Sequence, residues 1–218
     1  MHHKTAGGPK TAGRVLHSHA GLSLRWYDLF SSVASFGREK LIELAAPAPG
    51  EKVLDVGCGT GTLAIAIKPR VGAGEVHGID ASPEMIEVAK KKSAKDRSDI
   101  DFQVSLIEAL PFSDASFDLV TSSLMLHHLP DGLQAKGLVE IRRVLKPGGR
   151  FMAMDFAAQS HSPLGHLLSV FGHSRGERMV DKLTLKLRDA GFSDIESIPT
   201  RHKSFAFIRA RLPMPKEP

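Results

Sequence analysis

Three glycines in five residues, Gly57, Gly59 and Gly61, follow directly on the run that carries Asp55 in VLDVGCGTG (53–61). Glycine accepts positive φ and brings no Cβ, so such a stretch turns sharply and lays its amides against a bound group. Asp80 lies 80 − 61 = 19 residues past the last glycine, closing the strand-like EVHGID (75–80). A carboxylate at that spacing accepts both hydroxyls of a ribose, so the expected ligand is a nucleoside. The pattern is G-x-G-x-G: counted from Gly57, the sixth position is Thr62 and not the glycine of a dinucleotide fingerprint. No Gly-Lys-Ser/Thr follows, which excludes a triphosphate loop. Asp55 would repel an anion and attract an ammonium group, so the ligand is a single nucleoside with a cationic tail. Farther along, LMLHHLPDG (124–132) holds the adjacent His127 and His128. Histidine titrates near neutrality, and these two are the candidates for a base. Cys58, the single cysteine, is expected as a small buried residue of the loop and not as a nucleophile.

The elements that must position these residues alternate. KVLDV (52–56) reads as a buried strand, TLAIAIKPR (62–70) as a helix and EVHGID as a second strand. SPEMIEVAKKK (82–92) reads as a helix with Ser82 as N-cap and Pro83 in its first turn. Strands at about 101–104 and at FDLVTSS (117–123), a helix at about 131–145 and a strand at GRFMAMDF (149–156) continue the pattern. Such alternation predicts an α/β fold with a parallel sheet and helices on both faces. VDKLTLKLRDAG (180–191) is a last helix, with Gly191 at its C-terminal cap. DIESI (194–198) and SFAFIRARL (204–212) leave no room for a crossover helix and should pair antiparallel.

Residues 1–13 are Gly-, Lys- and His-rich without periodicity and read as a mobile tail; residues 14–212 form one domain, and 213–218 a second tail. Helical spacing in LSLRWYDLFSSVASFGREKLIELAA (22–46), broken near Gly37, predicts two short helices over about 20–46. No apolar run approaches the ~20 residues of a membrane span. Without a signal-like start or a partner for Cys58, the chain reads as cytoplasmic. The net charge of +5 is spread along the chain, so a solvated basic surface is expected and no nucleic acid. His161, His166 and His173 do not share one helical face and have no nearby Cys, so no metal is expected.

The ordered motifs resemble the class I S-adenosylmethionine-dependent methyltransferases. VLDVGCGTG matches that family's first motif, VHGIDAS its ribose-binding strand end and ALPFSDASFDLV the approach to its fourth strand. LHHL matches the segment that follows, RVLKPGGRFMAMDF the fifth strand with its preceding loop, and LRDAGFSDIE with SFAFIRARL the last helix and closing hairpin. The likeness covers about residues 25 to 211. It implies a Rossmann-like, doubly wound seven-stranded sheet, mostly parallel with an antiparallel last strand, and S-adenosylmethionine as cofactor. By the same resemblance, Asp55 and the loop Gly57, Cys58, Gly59, Thr60 and Gly61 hold the methionine part. Asp80 takes the ribose, and Ala81, Met85, Leu106, Ile107 and Glu108 lie around the adenine. Ser122 and Ser123 line the cofactor near its sulfonium, while Trp26 and Tyr27, on the N-terminal helices that close over the pocket in that family, either lay an aromatic face against the sulfonium or anchor their helix to the core.

Many relatives carry an Asp where this chain has Leu106, so affinity is expected to rest on Asp80 and the glycine loop. The acceptor motifs of DNA amino- and pyrimidine-methylating enzymes are absent; SSLMLHHL (122–129) stands where the first would be. The motif set resembles small-molecule enzymes, including the ubiquinone/menaquinone group. The expected acceptor is therefore a small, amphiphilic, quinone- or lipid-like molecule, with SPLGHLLSVFG (162–172) as a cover or a peripheral membrane contact. Two other readings stay open: a catalytically silent cofactor-binding regulator, suggested by Leu106, and an RNA- or protein-directed methyltransferase, suggested by the basic balance.

Overall fold

The computed structural model describes residues 31–156, 179–199 and 205–215. In chain order the elements are α1 (Ser31–Ala45), β1 (Val53–Val56), α2 (Thr62–Val71), β2 (Val76–Asp80), α3 (Pro83–Asp96) and β3 (Asp101–Val104). They continue with β4 (Phe117–Ser123), a 3₁₀ turn (Leu126–His128), α4 (Asp131–Val144), β5 (Leu145–Phe156), α5 (Met179–Asp189), β6 (Ser193–Pro199) and β7 (Phe205–Arg211).

All four residues of β1 are buried, as a central parallel strand covered on both faces requires. The seven strands run in the order β3-β2-β1-β4-β5-β7-β6. β1 pairs in parallel with β2 on one side and β4 on the other, and β7 enters antiparallel between β5 and β6. The chain thus departs from β1 in both directions across the sheet. The crevice outside the carboxyl ends of β1 and β4 is the place where open α/β sheets bind ligands.

Alternation along the strands sends side chains into two cores. On one face Leu54, Val56, Val120, Phe151 and Ala153 pack with Leu138, Ile141 and Val144 of α4 and Leu183 and Leu187 of α5. On the other, Val53, Leu119, Met152, Met154 and Phe207 pack with α1, α2 and α3 through Leu41, Ile67, Ile86 and Ala89. The result is three layers, helix on sheet on helix.

Local signals place most element ends. Ser82 caps α3, its hydroxyl accepting the Met85 amide, and Pro83 occupies the first turn. Gly191, at φ +86°, follows α5. Two expectations are corrected. α1 runs unbroken through Gly37: a Cβ there would come within 2.5 Å of Met154 Sδ, so this glycine serves close packing on β5 and not a helix break. β5 begins at Leu145, which pairs with Phe117; Lys146–Gly149 then bulge out before the register resumes at Leu119 and Arg150. The expected tail at 1–13, the part of the N-terminal helices before residue 31 with Trp26 and Tyr27, and the histidine-bearing segment with SPLGHLLSVFG lie outside the described residues.

Candidate active site

The glycine loop leaves β1 with Gly57, Gly59 and Gly61 all at positive φ, +70°, +52° and +74°. At two of them the neighbour that forbids a side chain belongs to the protein. A Cβ on Gly57 would lie 2.3 Å from Met125 Cγ, and one on Gly61 would lie 2.6 Å from the Phe102 ring and 2.9 Å from Ala89. The loop is pinned by Cys58 N–H to the Ile79 carbonyl at 2.8 Å and by Gly61 N–H to the Cys58 carbonyl at 2.9 Å. Its turn at Gly61 opens α2.

Asp80, at the carboxyl end of β2, faces this loop. One carboxylate oxygen accepts the Gly59 amide and the other the Ser82 amide, each at 2.9 Å. Every carboxylate oxygen keeps a further lone pair, so the group still offers acceptors to two hydroxyls. Burial pushes its pKa up, against the lowering effect of the amides of Ser82 and Gly59. The Ser105 amide donates to the Asp80 carbonyl at 3.0 Å, which draws the segment after β3 alongside. There the Leu106 carbonyl accepts the Ala109 amide and the Ser105 hydroxyl. Ala81, Met85, Leu106 and Glu108 are partly buried around this end. Ile107 instead packs in the core against Gly137 of α4.

Asp55 is 1% exposed, and one of its oxygens, Oδ1, accepts the Thr121 hydroxyl at 2.9 Å. Burial above all, with the charge of Asp80 adding to it, raises its pKa from 3.8 to about 7. The Cys58 thiol is pushed far up by burial and then by Asp55 and Asp80, so it is no nucleophile. When both are ionised, the two acids place a negative field at the carboxyl ends of β1 and β2. That field suits a nucleoside whose tail carries ammonium and sulfonium charges, and it disfavours a phosphate.

β4 ends in Ser122 and Ser123. Ser122 is buried, and among the described residues its hydroxyl has no hydrogen-bond partner. An orphaned buried hydroxyl beside the crevice, together with acceptors on Asp80 and the glycine backbone, fits the expected cofactor.

Beyond β4 the chain takes an uncommon path. Leu124 adopts φ +53°, and its amide donates to the Met154 carbonyl at 2.8 Å. This strained residue turns Met125 back onto Gly57 and starts the 3₁₀ turn that carries both histidines. The His127 amide donates to Asp155 Oδ2 at 3.1 Å, and His127 Nδ1 stands 2.7 Å from Oδ1 of the same carboxylate. The rings of His127 and His128 are 3.8 Å apart, centroid to centroid. From α4, Gln134 donates its amide to the carbonyls of Leu126 at 2.8 Å and Leu129 at 3.0 Å. Asp155 and Gln134 are missing from the sequence expectations. The signal available was a lone acid inside the apolar GRFMAMDF and a lone amide among the apolar positions of α4. Among the described residues no group of three or more His, Cys, Asp or Glu could hold a metal ion.

The model of a methyltransferase domain matches residues 53–149, the stretch from β1 into β5 that builds this site. A demethylmenaquinone methyltransferase of Thermus thermophilus is 33% identical over 150 residues, 66% of this chain and 67% of the relative. A ubiquinone/menaquinone biosynthesis C-methyltransferase UbiE of Geotalea daltonii is 36% identical over 149 residues, 65% of this chain and 63% of the relative. The aligned part of this chain thus spans about two thirds of the length of these curated relatives. In fold, a crystal structure of a SAM-dependent methyltransferase from Aquifex aeolicus superposes with TM-score 0.66 at 23% identity, covering 80% of this chain and 89% of that one. With a methyltransferase-domain match over residues 53–149 and a relative 33% identical over two thirds of its own length, the chain belongs to the S-adenosylmethionine-dependent methyltransferase family.

Proposed function

We propose that the chain methylates a small amphiphilic acceptor of the quinol type. The observation that carries this reading is the likeness to demethylmenaquinone methyltransferases, 33% identical over 150 residues in one case and 40% over 139 in another. The cofactor supplies a methyl group already activated by its positive sulfur, so the protein has no nucleophile to build. Its residues bind, orient and exclude water, which is where most of the acceleration of such a transfer originates.

Asp80 accepts the ribose hydroxyls with the lone pairs that the amides of Gly59 and Ser82 leave over. Asp55 and the backbone from Gly57 to Gly61 hold the charged methionine part, with Cys58 and Thr60 contributing main chain. Ala81, Met85, Leu106 and Glu108 flank the adenine, Ile107 adding main chain only. Ser122 and Ser123 stand toward the methyl group at the end of β4. A quinol hydroxyl or ring carbon loses a proton as it gains a methyl, and His127 or His128 takes that proton. A cytosolic location fits the lone buried thiol, and no helix among the described residues is long and apolar enough to cross a membrane.

The deciding experiment offers the protein S-adenosylmethionine with a reduced naphthoquinone bearing a short prenyl chain. Formation of S-adenosylhomocysteine and of the singly methylated quinol, in equal amounts, is the expected result. Methylation of RNA or protein in a cell extract, with the quinol left untouched, would overturn the acceptor assignment.

A further inference from the structure

Asp155 closes β5 on the face that carries Phe151 and Ala153, and it is 3% exposed. Each of its oxygens meets His127: Oδ2 accepts the His127 amide, and Oδ1 lies 2.7 Å from His127 Nδ1. The first contact alone would satisfy the opening amide of the 3₁₀ turn, as a capping carboxylate does. The second has another consequence. A carboxylate oxygen accepts, so Nδ1 carries the hydrogen, and the lone pair of the neutral ring is left on Nε2.

We infer that Asp155 is the positioning residue for His127, fixing its tautomer and ring direction so that Nε2 is the atom that receives a proton. The inference rests on the proposed methyl transfer and adds to it the choice between the two histidines. The acceptor loses one proton for the methyl it gains; that proton passes to Nε2, and His127 returns it to water once the product has left. The charge that builds on the imidazole is met at Nδ1–H by the Asp155 carboxylate, at hydrogen-bond distance.

Three further features hold the ring to this task. Leu124 keeps its left-handed conformation because its amide reaches the Met154 carbonyl, one residue before Asp155. The His128 amide closes the turn on the Met125 carbonyl at 3.0 Å. Gln134, 6% exposed, ties down the carbonyls of Leu126 and Leu129 on either side of the histidine pair. A turn needed only to connect β4 to α4 would not require strain, a buried acid and a buried amide converging on three residues. His127 is thus restrained from β5 and from α4 at once, while its side chain keeps 20% of its surface exposed.

The test uses Asp155→Asn. Asparagine can still accept the His127 amide through its carbonyl, but its NH₂ faces Nδ1 and favours the ring with hydrogen on Nε2. Long-range ¹H–¹⁵N spectra of the imidazoles, recorded without cofactor and assigned by the signals lost in His127→Gln, read the tautomer directly. The expected result is hydrogen on Nδ1 in the native protein and on Nε2 in Asp155→Asn. Turnover with the quinol should then fall roughly 100-fold or more, the low end of what a general base supplies, with the KM for S-adenosylmethionine unchanged. The double variant with His127→Gln should be no slower than His127→Gln alone, because both changes remove one function. A native His127 with hydrogen on Nε2 overturns the inference even if Asp155→Asn fails to fold. So does a switched tautomer with turnover intact. A native protein inert toward every quinol, but with the tautomer switching as expected, would instead overturn the acceptor assignment and uphold the positioning role of Asp155.

Discussion

Asp55 and Asp80 illustrate how one residue type serves two purposes in the same crevice. Asp80 has its oxygens occupied by amides but keeps lone pairs for hydroxyls, so its contribution is read in binding. Losing two hydrogen bonds to a charged group, each worth about 1.5–3 kcal/mol, costs at least roughly 100-fold in affinity. Asp80→Ala should therefore show no cofactor binding by calorimetry at micromolar protein; near-normal affinity would sink the ribose assignment. Asp55 is a buried acid whose value is paid in stability. Its carboxyl titrates at 3.8 ordinarily and about 7 in the fold, so between these values the native chain holds a proton that the unfolded chain has lost. Stability from this group falls as pH rises through that window and stays low above it. Asp55→Asn keeps an acceptor for Thr121 and removes the charge. In urea titrations it should gain up to a few kcal/mol over the native protein at pH 8.5 and almost nothing at pH 4. An equal difference at both values would mean that the buried charge is already compensated.

At the scale of elements, the turn from β1 into α2 is fixed by backbone conformation and by packing together. Gly61 has φ +74° and sits against Phe102 and Ala89, whereas Gly72, after α2, has φ +54° and nothing within 4 Å. Gly61→Ala must accept both a left-handed backbone and a collision with an aromatic ring, at a cost of roughly 2–4 kcal/mol. Gly72→Ala meets no collision; its φ of +54° with ψ of −109° lies outside the left-handed helical well, so its loss, about 1–3 kcal/mol, is conformational alone. Urea denaturation reads both, and a loss of about 1 kcal/mol in Gly61→Ala, the conformational cost by itself, would show that Phe102 simply moves aside. The same packing explains why sequence reasoning assigned the glycines too narrowly. Their spacing announced a site, but it did not reveal that Met125 and Phe102, 68 and 41 residues away from the glycines they crowd, also demand the missing side chains.

Across the whole molecule, Arg150 joins parts distant in sequence. Its guanidinium donates to the carbonyls of Ala45 and Ala46 at the end of α1 and, in two parallel bonds of 2.7 and 2.8 Å, to the Glu51 carboxylate that precedes β1. Burial tends to raise the Glu51 pKa, but the Arg150 hydrogen bond and charge hold it below its ordinary value. Arg150→Ala strands a partly buried carboxylate and two carbonyls, so a loss of about 3 kcal/mol is expected in equilibrium unfolding. Arg150→Lys should recover little, since an ammonium cannot make the forked contact. A loss below about 0.5 kcal/mol would show that the cluster is a surface pair of the ordinary, weak kind.

The β-α alternation, the antiparallel closing hairpin, the Ser82 cap and the pairing of the glycine loop with Asp80 were all legible in the residues. Each is a local signal: a period, a cap or a spacing within one βαβ unit. What the amino-acid sequence by itself determined was therefore the architecture and the kind of cofactor the family uses. Only the tertiary structure decided that α1 continues through Gly37, because Met154 lies on a strand more than a hundred residues later. Only it brought Asp155 to His127 and Gln134 to the turn that carries His127. Those contacts depend on β4 and β5 lying side by side in one register, and no local pattern around His127 records which residue the neighbouring strand will present.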